Sequence, residues 1–269
     1  MILFLVKTIG LLSFAAVGIL VAFGATYSQA LETGKNSLVM IILGRRGSLL
    51  VLTLLTRIRT LFGDSAKARS AKQAYARFAL AEKDPDATNG NGICFIGSST
   101  FTYWTNLKRD MAPISSCFNL AFGGSVTGDI LEHVDVVARF RPKMIVYYCG
   151  ANDLSFGSSP ADAANGFIQF ATRIREKLPN VGIIYLAINL TPLQIANGKT
   201  TQLKEINSRV EQFVSRQQNM SFVDANKESR FANHWDWYIN DGLHLNDEGH
   251  IELSKWIKPA VQEMIRTLK

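Results

Sequence analysis

Cysteine is scarce in this sequence: there are three in 269 residues, and none lies in a C-x-x-C pair. That excludes a disulfide framework and a zinc ribbon, which need more thiols at closer spacing. Proline is also sparse, at seven residues, and the 20 glycines follow no period, so collagen-like and Pro-rich low-complexity chains are excluded. Charged residues make up 19% against 47% hydrophobic ones, the reverse of an intrinsically disordered chain. The chain has no H-E-x-x-H, no Walker loop, no G-x-G-x-x-G and no G-x-S-x-G nucleophile elbow.

Acidic residues are nearly missing from one window. Between Arg45 and Arg77 stand Arg45, Arg46, Arg57, Arg59, Lys67, Arg69, Lys72 and Arg77, with Asp64 the only acid. That window carries the whole net charge of +7, and the rest of the chain is balanced. A basic stripe beside a hydrophobic segment reads as a patch facing anionic lipid. No nucleic-acid-binding motif accompanies it, so no nucleic-acid partner is expected.

The hydrophobic segment is the N-terminus. Residues 1–25 are interrupted by a single charge, Lys7, and residues 8–25 are about long enough to span a bilayer. We expect a retained membrane anchor, because no Lys or Arg precedes the apolar run. A cleaved signal peptide is the alternative, with Ser28-Gln29-Ala30 as its cleavage site. Residues 37–62 form a second apolar region, broken by Arg45 and Arg46 and then apolar at helical spacing, which fits a helix lying in the membrane interface. Residues 63–86 read as a basic, Ala-rich helical connector. Pro85 and the Asn89-Gly90-Asn91-Gly92 turn then divide an anchor region, 1–84, from a domain at 85–269.

After Gly92 short apolar runs alternate with helical stretches. Strands are expected at 93–96, 116–120, 143–149, 181–189 and 221–224. Helices are expected near 100–111, 129–140, 160–178 and 201–217. A last helix starts at Asp247, is capped by Asn246 and is bent or ended early by Pro259. Such alternation implies a parallel sheet covered on both faces, with ligands at the carboxyl edge of the strands.

Four groups stand at those strand ends. Ser99 follows the first strand at a turn into a helix and is the candidate nucleophile, although an isolated serine there more often caps a helix. Gly124, in Gly123-Gly124, can bring a backbone N–H close to a ligand, and Asn152 follows the third strand with a neutral amide donor. Far downstream Asp241 and His244 are three residues apart on a turn, where a carboxylate can orient an imidazole base. His133 and His250 read as helix-surface residues, and the three cysteines read as buried structural thiols.

Together these four blocks resemble the SGNH hydrolases, the GDSL-like esterases and lipases. Ser99 lies in Phe95-Ile96-Gly97-Ser98-Ser99-Thr100, Gly124 in residues 119–125, Asn152 in Gly150-Ala151-Asn152-Asp153, and Asp241 and His244 in a D-x-x-H block. Ser98 stands where the family usually has Asp, and Ala121 where it often has Gly. The resemblance runs from about residue 93 to the C-terminus. It implies a three-layer α/β/α, flavodoxin-like fold with a parallel sheet of about five strands. It also implies a serine esterase without cofactor or metal: Ser99 as nucleophile, His244 as base, Asp241 as its orienter, and the Ser99 N–H, Gly124 N–H and Asn152 amide as oxyanion donors. Tyr103, Phe122 and Phe156 are candidates to line an acyl pocket, with core packing as the competing role. The expected substrate is an acyl ester, either lipid, lysophospholipid or short-chain. The alternative is a non-catalytic subunit of a membrane complex that reuses the fold.

Overall fold

Five runs are short and mostly apolar, too short for amphipathic helices, and they become strands, the central three of them fully buried. They are β1 (Ile93–Gly97), β2 (Cys117–Asn119), β3 (Met144–Tyr148), β4 (Gly182–Leu186) and β5 (Met220–Val223). All pair in parallel in the order β2-β1-β3-β4-β5. This is the doubly wound order in which the chain reverses direction between β1 and β3. The computed structural model describes residues 63–268 apart from 228 and 229. The expected anchor and interfacial segment lie outside the described residues. Among the described residues no helix is long and apolar enough to cross a membrane.

Helices cover both faces of the sheet. Every residue of β1, β3 and β4 is buried, as strands covered on two faces require. Pro160–Lys177 and Thr200–Val214 pack together on one face. There Tyr147, Tyr185 and Phe222 stand side by side across β3, β4 and β5, with ring centroids 6.0 and 5.8 Å apart, and Phe167 lies over the two tyrosines. Each fully buried aromatic of this kind contributes about 1.5–3 kcal/mol of apolar burial. On the other face lies Asp247–Thr267, whose buried seam is Leu253, Ile257, Val261 and Met264. Gly182 leaves room for it, since a Cβ there would come within 2.9 Å of Met264 and Leu268 side-chain atoms.

The structure departs from the sequence reading in several places. Pro259 sits inside Asp247–Thr267 and does not end it, because the apolar seam continues for two turns beyond and holds the helix to the sheet. The stretch expected as one helix near 100–111 is two short ones, Ser99–Thr102 and Leu107–Met111. That expected near 129–140 is likewise two, Thr127–Glu132 and Val134–Arg139, which meet at His133. Gly63–Ala81, read as a connector, packs on the sheet domain through Ser70, Ala74, Phe78 and Ala81, all buried. The Asp84/Pro85 position at which the sequence was divided therefore falls within one packed unit.

Candidate active site

The carboxyl ends of β1 and β3 meet over a glycine. A Cβ on Gly97 would lie 2.0 Å from the Tyr148 carbonyl oxygen, so only glycine lets the two backbones approach this closely. Beyond it the chain turns into Ser99–Thr102, placing Ser99 at the first helical position with its side chain partly exposed. The first N–H groups of a helix have no partner within it. Among the described residues neither the Ser99 nor the Gly124 N–H has an acceptor.

His244 reaches Ser99 across 145 residues of sequence. Its Nε2 lies 2.9 Å from Ser99 Oγ, and its Nδ1 lies 2.5 Å from Asp241 Oδ2. With the ring proton on Nδ1, that nitrogen donates to the carboxylate, and Nε2 is left to accept the serine hydroxyl hydrogen. The turn carrying the pair is tied at both ends. Tyr238 and Leu245 form an antiparallel bridge, Ile239 N–H donates to the His244 carbonyl at 2.9 Å, and Gly242 takes φ +63°. The other carboxylate oxygen, Asp241 Oδ1, accepts the N–H groups of Leu243 at 2.8 Å and His244 at 2.9 Å. Asp241 is 2% exposed, so the carboxylate meets the imidazole away from water, where hydrogen bonds to charge are strong.

Ser125 joins the three strand-end blocks, and the sequence reading gave it no role. Its hydroxyl donates to the Gly97 carbonyl at 3.1 Å, and its own carbonyl accepts the Asn152 Nδ2–H at 2.9 Å and the Cys149 thiol at 3.3 Å. The first of these bonds fixes the loop after β2 to the end of β1, a tie that Phe122 N–H to Gly97 O repeats at 3.1 Å. The second uses one hydrogen of the Asn152 amide and leaves the other free. Gly124 lies within this loop at φ +78°, a left-handed conformation that favours glycine. Asp153, next to Asn152, is also buried. It accepts the Thr127 N–H at 3.1 Å and the Thr127 hydroxyl at 2.6 Å, and burial raises its pKa. The signal for both residues was their adjacency to Gly124 and Asn152. Nothing in a single sequence says which neighbour of a loop residue points inward.

Of the proposed pocket aromatics, Tyr103 stands beside the site. It is 37% exposed and its ring meets the His244 ring edge-on at 4.7 Å. Phe156 is half-buried and ends the helix Ala151–Ser155 that begins beside Asn152. Phe122 is placed in the core. It is 1% exposed and packs edge-on against Phe78 and His133, filling the space between Gly63–Ala81 and the sheet. His250 is not on the surface either. It is buried, stacks on Trp104 at 5.2 Å and sets Nε2 2.9 Å from the Thr100 carbonyl. Cys94, Cys117 and Cys149 are free and buried, as expected. Among the described residues no group of three His, Cys, Asp or Glu side chains is placed to hold a metal ion.

Comparison with known proteins finds relatives of the chain. Residues 87–250 match the model of the GDSL-like Lipase/Acylhydrolase family. A curated relative is the platelet-activating factor acetylhydrolase IB subunit beta homolog of Drosophila melanogaster, 26% identical over 139 residues. That match covers 50% of this chain, which spans 56%, little more than half, of the relative's length. A GDSL-like lipase from Bacteroides thetaiotaomicron superposes with a TM-score of 0.59 at 15% identity, covering 70% of this chain and 97% of that one. The lipase/acylhydrolase from Enterococcus faecalis superposes with a TM-score of 0.55 at 20% identity, covering 64% and 96%. At these identities the solved structures establish a shared fold.

Proposed function

The chain belongs to the GDSL-like lipase/acylhydrolase family, and on that premise we propose that it is a membrane-anchored serine esterase that works through an acyl-enzyme on Ser99. The observation that carries the reading is the unbroken relay from Ser99 Oγ to His244 Nε2 and from His244 Nδ1 to Asp241 Oδ2.

In this mechanism His244 removes the Ser99 proton as Oγ attacks the ester carbonyl carbon, and Asp241 stabilises the imidazolium that forms. The carbonyl oxygen becomes an oxyanion held by the Ser99 and Gly124 N–H groups and the free Asn152 amide hydrogen. Collapse of the tetrahedral intermediate breaks the carbon–oxygen bond to the alcohol, which takes the proton from His244. Water, deprotonated by the same imidazole, then attacks the acyl-serine and returns Ser99 with its proton. The substrate class is acyl esters. The Drosophila relative is named as a platelet-activating factor acetylhydrolase subunit homolog, and an acetylhydrolase name supports a short acyl group. The uncharged residues 8–25 and the basic window after them support membrane attachment.

A fluorophosphonate probe, which reports an activated serine without needing the substrate, tests the reading. Wild-type protein should label, Ser99→Ala should not, and His244→Ala should lose about 10⁴-fold in labelling rate or more. Folded wild type that neither labels nor hydrolyses p-nitrophenyl acetate overturns the reading and leaves a non-catalytic role for the fold.

A further inference from the structure

We propose that the helix Gly63–Ala81 braces the site and that Gln73 is a positioning residue for the oxyanion donors, an inference that rests on the esterase reading. The helix ends before the family match begins at residue 87, so nothing in the family assignment gives it a role. Ser70, Gln73 and Arg77 recur at spacings of three and four and therefore share one helix face. Each makes a polar contact to a segment that carries a member of the site or directly adjoins one.

Gln73 Oε1 accepts the Gly123 N–H at 2.8 Å, immediately before Gly124. Arg77 donates to the Thr102 carbonyl at 3.3 Å, at the end of the helix that Ser99 begins. Ser70 donates to Asp129 Oδ2 at 3.2 Å, and the same oxygen accepts the Val126 N–H at 3.1 Å. The loop around Gly124 is thus held from one helix on both sides, through Gly123 before it and through Asp129 and Val126 after it. Phe78, one turn beyond Ala74, adds its edge contact with Phe122 at 6.1 Å.

Gly124 cannot set the direction of its own N–H. It has no side chain to anchor it, and its left-handed backbone is one that glycine enters and leaves freely. Its neighbours must hold that direction, and an oxyanion donor is effective only when preorganised on the developing charge. A Cβ on Gly123 would stand 2.8 Å from Gln73 Oε1, the tip of an exposed side chain, so a larger residue there would push the glutamine aside.

The test compares Gln73→Ala and Gln73→Glu with wild type, as full-length protein in detergent with p-nitrophenyl acetate. It reads kcat, KM, thermal midpoint and amide hydrogen exchange across residues 120–126. Glutamate keeps an acceptor oxygen at the same reach. We expect Gln73→Ala to lower kcat about tenfold, less than losing a donor outright, with KM within about twofold of wild type. The midpoint should move by no more than about 2 °C, exchange at Gly123 should quicken, and Gln73→Glu should restore both kcat and protection. Wild-type kcat in Gln73→Ala overturns the inference. So does a loss of kcat that tracks a lower midpoint and is not rescued by glutamate. Wild type without turnover overturns the esterase reading instead. The brace is then judged on exchange alone, and unchanged exchange in Gln73→Ala overturns it.

Discussion

The Asn152 side-chain amide donates to the main-chain carbonyl of Ser125 at 2.9 Å, so the amide at the end of β3, proposed above as an oxyanion donor, is aimed by the loop that carries Gly124. That bond links the Gly124 loop to Asn152 directly, and the loop in turn rests on Gly97 through the Ser125 hydroxyl.

Removing the amide should therefore cost both a donor and a tie. Asn152→Ala is expected to lower kcat by about 10²–10³-fold with a small change in KM, the pattern for an interaction made in the transition state. Steady-state kinetics with p-nitrophenyl acetate measure it. A variant with wild-type kcat would remove Asn152 from the oxyanion site.

Gly97→Ala places a methyl group 2.0 Å from the Tyr148 carbonyl oxygen, and β1–β3 pairing denies that backbone room to move. The expected cost is about 3 kcal/mol or more, seen as a thermal midpoint about 10 °C lower or a failure to fold. A midpoint within a degree of wild type would show that β1 and β3 separate more easily than their register implies.

Acid should weaken the fold before it protonates most carboxylates. Burial holds the His250 imidazole below its usual range, against the opposing pull of the Thr100 carbonyl, Asp110 and Asp247, and burial acts on His133 in the same direction. In the unfolded chain these rings take up protons near pH 6.5, while the folded chain resists. Their stabilisation is complete above that pH and is lost as pH falls below it. Urea midpoints measured from pH 7.5 to pH 5 should decline, and His250→Gln, which can still donate to Thr100, should flatten the decline.

Burial also pushes the thiols up, Cys117 to about 12 and Cys94 and Cys149 well above their ordinary value. At pH 8 only about one Cys117 in ten thousand is thiolate, the reactive form. Ellman's reagent should therefore find no fast-reacting thiol in the native protein and three after denaturation, and iodoacetamide should leave activity intact. Rapid reaction of even one native thiol would contradict the burial.

The strands, the three strand-end blocks and the Asp241–His244 turn were legible in the sequence because each is a local signal. A short apolar run flanked by Gly, Asn or Asp marks a strand whatever it packs against. Ser99 stands at such a flank and Asp241 and His244 on a turn ahead of the last helix, and the fold brings them within hydrogen-bonding distance. What depended on distant partners was not legible. His250 looks like any polar helix residue until Trp104 and Thr100 close over it. Gly63–Ala81 is polar on average, and only the facing surface with Phe122 and His133 reveals why Ala74 and Phe78 are buried. Phe122 follows a strand end as a pocket residue would, yet its ring turns the other way. Pro259 carries a local helix-breaking signal that tertiary packing overrides.

The wide separation of Ser99 from His244 has a consequence during synthesis. A ribosome delivers Ser99 and the loops of Gly124 and Asn152 well before Asp241 and His244, which arrive only with the turn that precedes Asp247–Thr267. A chain still emerging, or cut anywhere ahead of residue 244, holds a serine with no group to take its proton. If Ser99 and His244 act as proposed, hydrolysis waits until the last helix has seated over β4 and β5, and activity would report that folding is finished.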